Sequence, residues 1–330
     1  LFSSEFSLKF LQKYSSTNSC HLVSSLELCA TLYSVVIRDG IAKGSGKPYR
    51  SGTATLRVNQ HYGANGGVDE ISEIPVSFVA MKFKRDGSQN PAYDNLKEFM
   101  EGGSYHSIQE VGLEHATRLR VSGKYGNLSE NMFVGRDGET INSGWRVNSS
   151  FFGVVRGGGE ASPSNGDSAT FSTDIFIMSI DDEVTAEGEA TGRLHIRGAI
   201  VQYGQRLDVM DFYAENPGVV DFMSRNYNVN DTVNVVGRIR YTSTVEETHE
   251  ESSWGEVIPK STTRTKRELI LVNGADEVFD DEMAYDPADI ATLNADRNSR
   301  REQLKIDARN KAAASKAAKA PVDNGGYDWE

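Results

Sequence analysis

The 330-residue sequence carries 47 Asp and Glu against 35 Lys and Arg, a formal charge of −12, with 38% hydrophobic residues and a mean hydropathy of −0.47. That length accommodates two or three ordinary domains, and no run approaches the ~20 apolar residues of a membrane helix. Cys20 and Cys29 are the only cysteines, which excludes a disulfide framework or a zinc cluster and suits a reducing cytoplasm. Residues 275–330 hold 13 acidic and eight basic side chains, a net −5, so the preceding body is acidic as well, at −7. A polyanionic ligand would therefore need a local basic groove.

In chain order, residues 1–29 are Ser-rich, with only Lys9 and Lys13 as bases and no signal-peptide layout. A loosely packed arm or leader is expected there. A first domain is expected over 30–180. The alternation at 76–83 reads as a strand, Asn90-Pro91 breaks it and leads to Phe99-Met100, and Arg120-Val121-Ser122-Gly123-Lys124-Tyr125 reads as a glycine-bearing strand. A long hairpin holding Trp145 follows, then an apolar return strand at 151–155, with insertions around 43–74 and 126–144. Residues 156–168 are a Gly/Ser/Pro/Asn-rich linker. Phe171–Met178 is one more strand, either finishing this domain or bridging to the next.

The same order recurs in a second domain at 190–274, as a tandem repeat would require. Leu194, Ile196, Leu207 and Val209 alternate around a turn at Gly204, and Asn216-Pro217 leads into one or two helical turns through Phe222-Met223. Asn234-Val235-Val236-Gly237-Arg238-Ile239 matches the earlier glycine strand with the glycine and following base in register. A polar hairpin with Trp254 and a return strand at 268–272 close the unit. An interior Gly237 suits a sharply bent barrel strand.

The Val-x-Val-Val-Gly-Arg-Ile run at 233–239, between a Gly/Asn/Asp-rich turn and a charged hairpin, resembles the OB folds of single-stranded DNA-binding proteins, of phage or bacterial type. The resemblance covers about eighty residues. It implies an all-β fold with two tandem OB-like five-stranded Greek-key barrels, followed by an acidic linker, a helix and an acidic tail over 275–330. It also implies sequence-tolerant binding and protection of single-stranded DNA in replication or recombination, in the cytoplasm, or the host cytoplasm if phage-encoded. The rival reading is a phage virion or assembly protein whose barrels make only protein contacts.

Sequence-tolerant binding needs rings to stack on bases and cations to follow phosphates. In the first unit the candidates are Tyr33, Arg38, Lys47, Tyr49, Lys82, Lys84, Lys124, Tyr125, Trp145 and Arg146. In the second they are Arg197, Tyr203, Phe212, Arg238, Arg240, Tyr241, Trp254, Lys260 and Arg264. Trp145 and Trp254 are expected in polar hairpins and thus closest to DNA. Glu246, Glu247, Glu250, Glu251 and Glu256 are expected to face Lys260, Arg264, Lys266 and Arg267 across the second hairpin.

Pro287 starts a helix over 288–320 with a sparse apolar face at Ile290, Leu293, Leu304 and Ile306. The terminal Tyr327, Asp328, Trp329 and Glu330 resemble the acidic aromatic tails that recruit replication or recombination proteins, although the bacterial Pro-Phe ending is missing. Gly44-Ser45-Gly46-Lys47 is not a phosphate loop, because Ile41 stands at the first glycine and Pro48 at the Ser/Thr. The six histidines have no metal-ligand spacing, and no catalytic constellation or cofactor motif is present.

Overall fold

A computed structural model describes residues 25–62, 68–122, 126–135, 137–155, 166–251 and 257–319. The arm up to residue 24, Gly123 and the 156–165 part of the linker lie outside them. The chain is all-β and OB-like, with a closed five-stranded barrel and a C-terminal helix. Strands β1 (Ser25–Ile41), β2 (Pro48–Tyr62) and β3 (Val68–Met81) form an antiparallel meander. After it come α1 (Pro91–Asn95), a 3-10 turn at Leu96–Phe99 and the single-turn α2 (Ile108–Val111).

Strands β4 (Arg118–Ser122) and β5 (Gly126–Val134) then run in sequence, and β6 (Ile141–Ser149) returns. β6 pairs antiparallel with β5 and parallel with β3, while β4 pairs with β1, so the ladder closes on itself. The two-residue β7 (Gly153–Val154) adds only to β4.

A second circuit of strands follows, made of β8 (Ser168–Val184), β9 (Ala190–Gln202), β10 (Arg206–Ala214), α3 (Pro217–Asn226), β11 (Thr232–Glu251) and β12 (Val257–Gly274). β10 pairs parallel with β12, and β11 closes against β8. Phe171–Met178 falls within β8, which pairs with β1, β9 and β11. β1 begins at Ser25, within the expected arm, and its residues Ser25–Cys29 also pair with Ser172–Ser168 of β8. That seam joins both circuits into one sheet.

Local chemistry sets two helix starts and one strand bend. Asn90 and Asn216 both sit extended before a helix, accept from the N–H two residues on (Ala92 at 3.1 Å, Gly218 at 2.9 Å), and precede a proline at the first helical position. This is an N-cap followed by a residue whose missing N–H costs nothing there. Gly237 marks a bulge where β11 passes between β8 and β12. A Cβ there would come within 2.2 Å of the Phe171 ring, so only glycine fits.

Two expectations about the first unit fail. The return strand is β6, not 151–155, and its turn is at 135–140, where Asp137 accepts from the backbone N–H groups of Glu139 and Thr140. The Thr140 hydroxyl, which also donates to this carboxylate, and those two N–H bonds hold the Asp137 carboxyl down at about 2. Residues 126–144 are thus two strands of the circuit and not an insertion.

The final helix, α4 (Pro287–Lys319), is docked rather than protruding over its first three turns. Tyr285, Ile290 and Leu293 form an apolar cluster with Phe176, Ala199, Val201, Leu207 and Val209. β9 and β10 are consequently buried on both faces: Ile196, Ile200, Met210 and Phe212 point into the circuit, and Val201, Leu207 and Val209 point under α4. Among the described residues no helix is apolar enough to cross a membrane.

Candidate nucleic-acid interface

The open face belongs to the first circuit. Register places Val36, Arg38 and Gly40 of β1 beside Thr53, Ser51 and Tyr49 of β2, and these beside Ser77, Val79 and Met81 of β3. Their alternate neighbours Val35, Ile37, Ala54, Phe78 and Ala80 point into the core. Val36 is 72% exposed and Val79 62% exposed, so nothing described covers the middle of this face. The Tyr49 ring lies against Gly40, where a Cβ would stand 2.5 Å from it. The Nζ of Lys82 sits 5.6 Å from the Phe83 ring centroid.

Charge gathers at the same end. Residues 38–50 and 82–86 supply Arg38, Lys43, Lys47, Arg50, Lys82, Lys84 and Arg85 against only Asp39 and Asp86. The two segments are tied by Lys82 N–H donating to the Pro48 carbonyl at 2.9 Å. Arg50 is buried, bonded to Asp39 at 2.8 Å and to the Tyr93 carbonyl at 3.0 Å, and is committed to structure. The rest are exposed or half-buried at the rim. This end of the face is a local concentration of cations in a chain whose total charge is −12.

The corresponding face of the second circuit is closed. One end lies under α4. At the other, Arg197 is flanked in register by Ser179 and Asp211, and His195 by Asp181 and Tyr213. His195 contacts Asp211 at 3.2 Å, and Arg193 contacts Glu183 and Glu268. The cations here already have carboxylate neighbours.

Of the predicted site residues, Arg38 and Tyr49 stand on the open face, and Lys47, Lys82 and Lys84 lie in the segments that flank its strands at the same end. Tyr33 is on the same strand but is half-buried beneath the Arg57 guanidinium, 4.5 Å from its centroid. Arg146 is exposed on β6, with Nε 3.4 Å from the Ser129 hydroxyl. Tyr203, 95% exposed, sits in the turn between β9 and β10, apart from these. Arg238 is half-buried on β11 and engaged by its neighbours.

Three assignments are overturned by burial. Phe212 is fully buried against Phe171, ring centroids 5.9 Å apart, so it is core. Trp145 is 9% exposed on β6, edge-on to Tyr241 at 6.2 Å, and belongs to the contact between the circuits rather than to a hairpin tip. Arg240 is 8% exposed and bonded to Glu70, Glu215 and Glu268 at 2.9–3.1 Å. With its charge answered by three carboxylates, Arg240 is a clamp between β11 and β3 and has nothing left for phosphate. Tyr241 is sandwiched between Trp145 and Arg267, the latter 4.8 Å from its centroid.

Lys124, Tyr125, Trp254, Tyr327, Asp328, Trp329 and Glu330 lie outside the described residues, as do the side chains of Lys260 and Arg264. The register of β11 and β12 opposes Glu246 with Thr262 and Glu247 with Ser261, so the acidic arm does not directly face its bases. Sequence reasoning missed Val36, Val79, Phe83 and Arg85. Val35-Val36-Ile37 is a continuous apolar run, and nothing in it tells which member faces out.

Circuit and face together define an OB-fold protein with one open, cationic strand face. The chain belongs to the YorF family, whose model matches residues 25–307. It is similar in structure to the single-stranded DNA-binding protein of Thermus aquaticus, at 13% identity and a TM-score of 0.46, covering 76% of this chain and 91% of that one. A deletion variant of the same protein gives 13% identity and a TM-score of 0.45, covering 81% and 98%. A replication protein A heterotrimer bound to single-stranded DNA gives 10% identity and a TM-score of 0.18, covering 87% and 70%. No curated protein matches in sequence.

Proposed function

We propose that this protein binds single-stranded DNA without regard to sequence, along the outward face of β1, β2 and β3. The observation that carries this reading is the uncovered face itself, with Arg38, Tyr49 and Lys82 beside exposed Val36, Val79 and Phe83. Rings and apolar side chains accept base faces, and the rim cations follow phosphates. In this reading the two circuits are tandem copies of one OB module, about 25–155 and 168–274. The first binds and the second scaffolds. Protection of single strands in replication or recombination in the cytoplasm, and recruitment of partner proteins by Tyr327, Asp328, Trp329 and Glu330, complete the proposal.

A second reading rests on the same patch. Exposed Val36, Ile41, Val79 and Phe83 also suit a protein partner in a phage assembly.

The test is fluorescence anisotropy of labelled oligo-dT at low and high salt. The triple variant Arg38→Ala/Tyr49→Ala/Lys82→Ala is expected to weaken binding at least about tenfold, since each stacked base is worth roughly 1–3 kcal/mol. Arg197→Ala is expected to change it less than about twofold, since it stands on β9, away from β1, β2 and β3, with Asp211 as a register neighbour. Absence of any binding at low salt by the wild-type chain would sink the DNA reading and leave the assembly one.

A further inference from the structure

Past its docked turns, α4 changes character. Residues 297–319 hold eight bases and only two acids, Glu302 and Asp307, in a chain whose total is −12. The docking consumes two of those bases. Arg297 is buried on Glu130, and Arg300 donates to the Leu207 carbonyl at 3.0 Å. Arg301, Lys305 and Arg309 recur every four residues, which on a helix sets them on one edge, about 6 Å apart along the axis. Between Leu304 and Lys319 the only large apolar residue is Ile306, and the Ala/Lys-rich sequence is helical by propensity rather than by packing.

The helix is also correctly placed. Arg309 reaches Glu139 at 3.0 Å, in the turn between β5 and β6. In an OB barrel that hairpin is one of the two loops beside the oligonucleotide face. The Arg309–Glu139 pair is exposed on both sides, 59% and 71%, so it is weak and easily exchanged for another anion. A strand leaving the first circuit past this turn would meet the basic edge of α4.

We propose that the Arg301–Lys305–Arg309 edge of α4 is a second contact for the phosphate backbone of single-stranded nucleic acid, extending the site beyond the barrel face. This rests on the single-strand reading of β1, β2 and β3. The edge supplies charge without stacking, so it adds affinity and salt dependence only for ligands long enough to reach it.

The test compares the full-length protein with Arg301→Gln/Lys305→Gln/Arg309→Gln, on oligo-dT of about 12 and about 35 nucleotides, lengths bracketing what one OB fold holds. Gln keeps helix propensity near that of Lys and Arg, and circular dichroism checks that helicity is retained. The variant is expected to bind the short oligomer within about twofold of wild type and the long one at least about fivefold more weakly. Its log–log salt slope on the long oligomer is expected to fall by roughly 2, three contacts at about 0.7 each. An unchanged long-oligomer affinity, or an equal loss on both lengths, overturns the inference while leaving the face reading intact. No binding of either length by wild type removes that reading and this inference together. Triple-variant-sensitive binding to phosphatidylserine vesicles, with unchanged DNA binding, also overturns it and assigns the edge to lipid.

Discussion

Arg297 of α4 donates to both carboxylate oxygens of Glu130 on β5, at 2.8 and 2.5 Å, with each side chain almost wholly buried. Glu130 also accepts from the Val209 N–H, and its own N–H donates to Asp208. Helix, first circuit and second circuit meet at this one pair.

Removing one partner of a buried pair strands the other charge. Arg297→Met is therefore expected to destabilise the protein by about 3–5 kcal/mol. The double variant Arg297→Met/Glu130→Gln should recover a large part of that loss. Urea unfolding gives the energies, and hydrogen exchange over 287–300 reports whether α4 lifts.

Trp145 lies between the circuits, so its truncation should damage stability and spare binding. Trp145→Ala is expected to cost about 3–5 kcal/mol, while oligo-dT affinity of the folded protein stays within about twofold, as the ring is buried against Tyr241 and is not part of the proposed face. With Trp254 and Trp329 replaced by Phe, Trp145 emission should resist iodide quenching. Ready quenching would return Trp145 to the surface.

Burial pushes the Glu268 carboxyl up, but its hydrogen bonds and proximity to Arg240 and Arg193 outweigh this and leave it below the usual value. A depressed folded value means that the stability is fully present above the unfolded value of about 4.3 and is lost as pH falls from there through the lower folded value. Arg240→Met should therefore lower Tm most near neutral pH, with the gap to wild type narrowing toward about pH 3. A pH-independent gap would show that the clamp is not electrostatic.

Gly237→Ala places a Cβ 2.2 Å from the Phe171 ring and 2.7 Å from the Ile270 carbonyl. A loss of about 1–3 kcal/mol is expected from such overpacking. Phe171→Leu in the same chain should relieve the ring contact but not the carbonyl one. Thermal melts of the single and double variants against wild type check the order.

Much of the fold was legible because it rests on local signals. Asn90-Pro91 and Asn216-Pro217 state a cap and a helix start in two residues, and Gly237 states a bend in one. The first-unit return strand was misplaced because Trp145 was read as a loop residue. Trp145-Arg146-Val147 in fact alternates in and out, and Asp137-Gly138 is the turn. The site was only half legible. Arg240 and Arg38 look alike in sequence, and what separates them is Glu70, 170 residues from Arg240. Leu207 and Val209 alternate as expected, yet the surface they bury is supplied by α4. No period within one strand says which later element will cover it.

The seam of β1 and β8 bears on the order in which the chain is built. Ser25–Cys29 is among the first described segments to be synthesised, yet one of its edges is satisfied only by Ser168–Ser172, about 140 residues later. Until then the first circuit holds an unpaired strand edge, an invitation to pair with another chain. Such distant pairing also slows folding, because its closure entropy is met before its contacts form. The first half of this protein is therefore not a finished unit when it leaves the ribosome. It is completed by the second.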